Sequence, residues 1–133
     1  MTEPVRQPVW LRDDLALVLH ERLVADFGGL VGVRDQGLLE SAMARPRQLA
    51  AYGAADTVEL AAAYAVGMVR NHPFIDGNKR VGFMLAYVFL VRNGYRFTAS
   101  EAAATRAVLD LASGDLSEQA FARWLADHSE PVA

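Results

Sequence analysis

The sequence contains no cysteine among its 133 residues, which excludes disulfide bonds and thiolate metal sites. It also lacks an excess of positive charge. Its 13 Lys and Arg against 16 Asp and Glu give a net charge of −3, which argues against a general nucleic-acid-binding protein. Its apolar run from Val81 to Val91 is only 11 residues long, whereas a bilayer needs about 20. We therefore expect no membrane partner.

The first ten residues contain Pro4 and Pro8 and no apolar signal-peptide core. Together with the absence of cysteine, this leads us to expect a cytoplasmic protein. At 14.5 kDa and 53% hydrophobic residues, the chain has the size and composition of one folded domain. We predict a single domain over residues 1–133, with a core spanning about residues 10–128.

The most informative stretch is a polar segment of nine residues. It reads His72-Pro73-Phe74-Ile75-Asp76-Gly77-Asn78-Lys79-Arg80. The apolar run that follows predicts that this loop opens onto a buried helix beginning near Gly77 or Asn78. The first N–H groups of such a helix lack intrahelical partners and its dipole is positive at that end, so it attracts anions. Lys79 and Arg80 add two full charges that suit a phosphate.

Asp76 indicates that a bound phosphate would carry a metal ion. A carboxylate repels a bare phosphate, whereas Mg²⁺ can lie between carboxylate and phosphate oxygens. Within the loop, His72 is the side chain that changes charge near neutral pH, which suits it to take a proton from an attacking hydroxyl. We therefore predict a site for a metal-bound polyphosphate, with His72 as its general base.

The parts of this segment also have purely structural interpretations. His72 before Pro73 can be only a helix stop, because the residue before a proline avoids the α conformation. Asp76 to Asn78 alone is a common turn with a helix cap. The ordered combination in nine residues favours the functional interpretation. By contrast, His20 and His128 have no second histidine or cysteine at metal-ligand spacing, and we assign them no catalytic role.

The pattern His72-x-Phe74-x-Asp76-x-Asn78-x-Arg80 resembles the signature of the Fic/Doc superfamily. Lys79 in place of the usual glycine resembles its death-on-curing (Doc) branch. The likeness extends over about residues 10–125. The other segments that resemble Doc proteins are Phe27-Gly28-Gly29, Gly32-Val33-Arg34-Asp35, Leu38-Leu39-Glu40-Ser41-Ala42 and Asn93-Gly94.

This resemblance implies the toxin of a bacterial toxin–antitoxin pair. Doc-like toxins use ATP and Mg²⁺ and transfer the γ-phosphate to a threonine of elongation factor Tu, which stops translation. The resemblance also implies a small cognate antitoxin of the Phd type, whose C-terminal helix fits a groove on the toxin. The net charge of −3, and not the resemblance, leads us to expect no direct contact with nucleic acid.

Carried over position by position, the resemblance gives each loop residue a role. His72 would deprotonate the target hydroxyl, Asp76 would hold the metal, and Phe74 would anchor the loop in the core without touching the chemistry. The groups that would grip the phosphates are the backbone of Gly77 and the residues Asn78, Lys79 and Arg80. Of these, Lys79 and Arg80 would join His72 and Asp76 as catalytic residues.

Two departures from the AMP-transferring Fic pattern favour the kinase branch. The loop of those enzymes has the pattern His-x-Phe-x-x-Gly-Asn-Gly-Arg-x-x-Arg. At the matching positions, this chain has Lys79 in place of the second glycine and Phe83 in place of the second arginine. Glycine lets the backbone come close to a bound phosphate, whereas lysine adds bulk and a positive charge at that position. Without the second arginine, a side chain that could bind phosphate through two hydrogen bonds is missing. The alternatives are AMP transfer to a protein hydroxyl and a non-catalytic member that binds nucleotide or antitoxin.

The rest of the sequence predicts an all-α fold, a compact Fic/Doc-like helical bundle around a buried central helix formed by the run from Val81 to Val91. The predicted helix boundaries are a glycine end at Gly28, a cap at Asp35, a stop at Pro46, a capping box from Asp56 to Glu59, an end at Asn93-Gly94 and a capping box from Thr98 to Glu101. Phe121, Trp124 and Leu125 mark a last helix.

Three stretches are candidates for extended structure, namely Val5 to Trp10, Arg47 to Ala55 and Tyr95 to Phe97. The stretch from Arg47 to Ala55 lies where this superfamily places a short β flap that positions the target beside the loop. A flap binds by adding a strand, which depends little on side chains and leaves little sequence signal. A plain surface connection is an equal alternative.

Overall fold

Helices dominate the computed structural model, which describes residues 7–132. The elements are α1 Leu15–Phe27, α2 Gln36–Ala51, α3 Thr57–Asn71, α4 Asn78–Arg92, β1 Tyr95–Phe97, α5 Glu101–Ser113, α6 Glu118–Asp127 and β2 Ser129–Pro131. The two strands pair antiparallel, with Tyr95 opposite Pro131. The all-α prediction is confirmed, and the small β element includes the predicted extended stretch from Tyr95 to Phe97.

Three helix boundaries lie where short sequence signals predicted them. The Asp35 carboxylate accepts the Leu38 N–H at 2.9 Å. Asp56 and Glu59 form the reciprocal capping box, at 2.8 Å and 3.3 Å, and α1 ends at Gly28 with φ +81°. All three predictions are confirmed. Such signals can be found in a sequence because the two residues that form each contact lie within four positions of each other.

The start of α5 differs from the prediction. Ser100, rather than Thr98, caps the helix, since its hydroxyl accepts the Ala103 N–H at 3.1 Å. The Thr98 N–H and hydroxyl instead donate to the His128 carbonyl at 2.7 and 2.9 Å. Thr98 prolongs the pairing of β1 with the chain before β2, so its backbone is committed to the strand and the helix begins after it.

The predicted helix stop at Pro46 is wrong, because α2 continues through Pro46 to Ala51. Proline removes the N–H that would bond the Ala42 carbonyl. Ala42 lies against α3, where a β-carbon at Gly67 would be 3.1 Å from the Ala42 oxygen. The side chain of Pro46 is itself buried, so the burial of its ring offsets the lost hydrogen bond.

The continuation of α2 to Ala51 also bears on the stretch from Arg47 to Ala55, for which a β flap was one of two alternatives. Residues 47–51 are helical, and residues 52–55 are turn and coil that lead into α3. Extended structure over Arg47 to Ala55 is therefore wrong, and a surface connection describes only residues 52–55, since the rest of the stretch belongs to α2. Of the candidate stretch from Val5 to Trp10, residues 7–10 lie outside helices and strands, whereas Val5 and Arg6 lie outside the described residues.

The centre of the bundle is α3, with α4 beside it. From Leu60 to Met68 every residue of α3 is buried, because its alanines and Gly67 keep the helix slim enough for neighbours to approach on several sides. The prediction of α4 as the central helix was correct in part. Its Val81, Leu85, Phe89 and Leu90 are fully buried, but Tyr87 and Val91 are 38% and 48% exposed.

The segment before α1 is tied to this core by a buried tyrosine. The Leu11 N–H donates to the Tyr64 hydroxyl oxygen at 3.2 Å. Burial raises the pKa of the Tyr64 hydroxyl, because the charged form would lose its hydration. Tyr64 thus stays neutral and structural. Within residues 7–132, no helix combines the length and apolar character that crossing a membrane requires.

Candidate functional site

The polar loop connects α3 to α4 between two residues with left-handed backbone. His72 follows α3 with φ +54° and ψ +52°, and Gly77 precedes α4 with φ +82°. Among the described residues, His72 is the one non-glycine residue with positive φ. Such a conformation costs about 1 kcal/mol or more and persists only where surrounding contacts enforce it.

Arg34 supplies those contacts at the end of α3. Its guanidinium donates to the carbonyls of His72 and Asn71 at 2.8 and 2.9 Å, and its backbone N–H donates to Pro73 at 2.7 Å. A cation is well placed here because a helix C-terminus carries unpaired carbonyls and partial negative charge. Arg34 therefore fixes the turn that presents the His72 side chain.

The loop is further paired with the connection between α1 and α2. Val33 and Phe74 form an antiparallel bridge, and the Ile75 N–H donates to the Gly32 carbonyl at 3.0 Å. The segment that resembled Doc proteins at Gly32 to Asp35 thus serves as the loop's backbone partner. Sequence reasoning missed this role, because a pairing across some forty residues leaves no local pattern.

Phe74 and Asn78 hold the loop onto the core. The structure confirms the predicted anchor, since Phe74 has no solvent exposure. The Asn78 side chain is 3% exposed. It accepts the Phe74 N–H at 2.9 Å and donates to the Phe74 carbonyl at 3.0 Å. Its amide is thus committed to the loop, so a phosphate contact of Asn78, which stays a prediction, would use its backbone N–H.

The carboxylate of Asp76 is exposed at the edge of the loop. One oxygen accepts the Gly77 N–H at 2.9 Å and the other accepts the Leu30 N–H at 3.3 Å. A β-carbon at Gly29 would lie 2.8 Å from the second oxygen. Glycine after α1 therefore makes room for the predicted metal ligand, which gives the Phe27-Gly28-Gly29 segment a structural reason.

His20 lies directly beneath this loop. Its ring is 4% exposed and stacks on Phe74, with ring centroids 4.0 Å apart and an 8° angle between planes. Its Nε2 is 3.0 Å from the carbonyl oxygen of Asp76. No sequence pattern indicates this position, because His20 is 56 residues from its partner and a lone histidine in a helix is usually structural.

Lys79 and Arg80 lie in the first turn of α4 with exposed side chains. The Arg80 guanidinium is 4.9 Å from the ring centre of Phe27 at the end of α1, which is a cation–π contact. No carboxylate of residues 7–132 forms an ion pair with either side chain. Their positive charges are therefore available to an anion.

All six predicted site residues line one open cavity of about 540 Å³. The polar end carries His72, Asp76, Gly77, Asn78, Lys79 and Arg80. The opposite walls come from α1, α4 and α5 and are mainly apolar, with Leu23, Phe27, Phe83, Met84, Val108 and Leu109, while α5 also contributes Glu101, Ala104 and Thr105. A volume of this size suits a cofactor or small ligand, with the cationic turn at one end and a mainly apolar wall at the other.

The donor set fits Mg²⁺ that is shared with a bound phosphate compound. Among the described residues, no group of three histidine or acidic side chains could hold a metal by itself. Asp76 offers one exposed carboxylate beside the cationic turn. Mg²⁺ is commonly bound by one or two carboxylates together with substrate phosphates and water, so Asp76 would hold the ion only as part of such a complex.

Comparison with known proteins finds similarity over a part of the chain that contains the polar loop. The model of the Fic/DOC family matches residues 10–90. A protein named Toxin Doc from Mycolicibacterium smegmatis is 45% identical over 76 residues, which cover 55% of this chain and 58% of that protein. Protein kinase doc of Escherichia phage P1 is 35% identical over 107 residues, covering 80% of this chain and 84% of the phage protein. On this similarity the chain belongs to the Fic/DOC family, as its loop indicated.

Proposed function

We propose that this chain is a Doc-type toxin that transfers the γ-phosphate of ATP to a threonine hydroxyl of elongation factor Tu and so inhibits translation. The observation that carries the proposal is the single cavity in which His72, Asp76 and the cationic first turn of α4 meet. The phage relative that aligns with most of the chain is named a protein kinase, which supports the reaction class.

The phosphate end of the cavity would be the N-terminus of α4. The N–H groups of its first turn have no intrahelical acceptor, and Lys79 and Arg80 bring their unpaired charges to the same place. Asp76 would hold Mg²⁺ against the phosphate oxygens. When bound, the ion neutralises charge that develops on the transferred group. Helix dipole, cations and carboxylate would together hold a metal-bound triphosphate.

His72 would act as the general base. The threonine oxygen attacks the γ-phosphorus and forms a new P–O bond, while the bond from that phosphorus to the β–γ bridging oxygen breaks and ADP leaves. The proton of the hydroxyl passes to the imidazole of His72. The exposed side chain at the cavity mouth can meet a hydroxyl that arrives on a large protein, and Arg34 keeps its backbone in place.

Phe83 supports the kinase proposal over AMP transfer. The centre of its ring lies 5.6 Å from the ring centre of Phe97 and 6.4 Å from that of Tyr87, within an aromatic cluster. An AMP-transferring Fic pattern would have a phosphate-clamping arginine there. With a half-buried apolar ring at this position, the positive charge of the cavity is confined to the turn that holds Lys79 and Arg80.

The partners of this proposal come from the family resemblance. They are elongation factor Tu as substrate and a small cognate antitoxin of the Phd type. Elongation factor Tu acts in the cytoplasm, and we place the toxin there with it. The chain's net charge of −3 agrees with a protein that acts on another protein without direct nucleic-acid binding.

Labelled ATP distinguishes the candidate reactions. The purified chain is incubated with elongation factor Tu, Mg²⁺ and ATP that carries the label at either the γ or the α phosphorus. We expect label on elongation factor Tu from the γ position alone. Label from the α position alone would replace the kinase with an AMP transferase. No label from either, with a bacterial lysate also tried as substrate, would favour a non-catalytic binder.

Removing either cation should weaken ATP binding and turnover together. We expect Lys79→Ala and Arg80→Ala each to lower kcat/KM for ATP by about 10- to 100-fold, because each loses charge-assisted contacts to phosphate. The matched control is Arg92→Ala, which removes an exposed arginine from the opposite end of α4 and should change kcat/KM by less than about twofold. Wild-type kinetics in both site variants would refute the phosphate assignment.

A further inference from the structure

His20 is a buried polar group that the proposed reaction does not use. Tyrosine aside, His20 and Asn78 are the buried polar or charged side chains of residues 7–132. Asn78 closes the loop through Phe74. A polar side chain is costly to bury unless it makes a hydrogen bond, and the bond that His20 makes leads straight to the site.

The contact between His20 and Asp76 determines the orientation of one peptide group. The Asp76 carbonyl oxygen can only accept, so His20 Nε2, at 3.0 Å, carries the hydrogen and donates it. In a trans peptide the N–H points away from the C=O. With the Asp76 carbonyl held toward the core, the Gly77 N–H must face the opposite side, where it donates to the Asp76 carboxylate at 2.9 Å.

The His20 ring is itself held firmly in place. One face stacks on Phe74 at 4.0 Å, and a β-carbon at Gly77 would be 3.7 Å from His20 Cδ2. The ring therefore stacks on the aromatic anchor of the loop, and its Cδ2–Nε2 edge faces the turn that begins α4. A buried ring stacked in this way can keep its donor aimed at a single carbonyl, which a flexible polar side chain would do less well.

We propose that His20 is a positioning residue that orients the Asp76–Gly77 peptide and, through the Gly77 N–H, the Asp76 carboxylate toward a metal-bound phosphate. The proposal rests on the proposed function for its effect on transfer, but the peptide orientation is a property of the protein alone. Small displacements of a metal ligand slow a reaction strongly because the reacting groups lose their alignment.

Two substitutions separate the donor from the bulk of the ring. His20→Gln can place an amide N–H near the position of the imidazole Nε2, whereas His20→Leu fills space and donates nothing. We expect His20→Leu to shift the Gly77 amide resonance in a ¹⁵N-labelled sample and to lower kcat by about tenfold or more, with a smaller effect on KM for ATP. His20→Gln should return kcat to within roughly threefold of wild type.

A variant in the distant core controls for general loss of stability. Leu125 is fully buried in α6 and does not line the cavity, so Leu125→Val should lower the melting temperature without moving the Gly77 resonance. The proposal is overturned if His20→Leu leaves that resonance in place, or if folded His20→Gln loses kcat as fully as His20→Leu. Should His20→Leu fail to fold, the glutamine variant alone decides. If the wild type transfers no phosphate, the Gly77 resonance still tests the orientation of the peptide. Failure of this proposal and failure of the kinase assignment can therefore be told apart.

Discussion

His72→Ala should reduce phosphoryl transfer by about 10²- to 10⁴-fold, the usual contribution of a positioned general base. The exposed imidazole forms no hydrogen bond to residues 7–132, so its removal should leave the helical circular dichroism and the melting temperature nearly unchanged. Alanine also keeps the cost of the left-handed backbone. Transfer from γ-labelled ATP and thermal melting measure the two effects in one preparation.

His72→Gly is the matched control for this experiment, because glycine adopts φ +54° without the steric cost of a β-carbon. Its melting temperature should equal or exceed that of His72→Ala, while its transfer should be lost to the same extent. Equal losses would assign the effect to the missing imidazole and not to the backbone. Full activity in His72→Ala would mean that another group takes the proton.

The sequence revealed the loop because its chemistry is concentrated in nine adjacent residues. The cavity brings together all six residues that the pattern singled out. The capping residues Asp35 and Asp56 were predictable for the same reason, since a cap and its partner are three residues apart. Local patterns therefore predicted where α2 and α3 begin and how α3 and α4 deliver the chain to the site.

Long-range support for the loop was beyond the reach of such patterns. Arg34 holds the His72 carbonyl from 38 residues away, and His20 holds the Asp76 carbonyl from 56 residues away. Neither residue type signals a partner at that separation. The sequence can identify an arginine or a histidine, but only the packing of α1 and the following connection against the loop selects which carbonyl each one meets.

Pro46 and Val91 show where local sequence rules fail to predict how the helices pack. The rule that proline ends a helix compares local energies only, and here the burial of Pro46 inside α2 outweighed the lost hydrogen bond. Hydropathy similarly favoured α4 as the most buried helix, yet Val91 is 48% exposed. Small residues make α3 central, because a slim helix accepts neighbours on more sides than a bulky one does.

The second large effect is expected at Asn78. Asn78→Ala should destabilise the protein by about 2–4 kcal/mol, because it strands the buried N–H and carbonyl of Phe74 at once. It should also lower kcat at temperatures where the variant is still folded, since the loop between His72 and α4 would no longer be closed. Thermal melting and transfer from γ-labelled ATP read the two effects.

Asn93 offers a control with the same chemistry away from the site. Its side chain accepts the Val9 N–H at 2.7 Å and donates to the Val9 carbonyl at 3.1 Å, but it follows the opposite end of α4, about 20 Å from Asn78 by helix length. Asn93→Ala should therefore lower the melting temperature while leaving kcat unchanged. If Asn78→Ala behaves in the same way, closure of the loop contributes to stability alone. If only Asn78→Ala loses turnover, the loop must be held in one shape for phosphate transfer, which gives its buried amide a functional reason that burial alone does not.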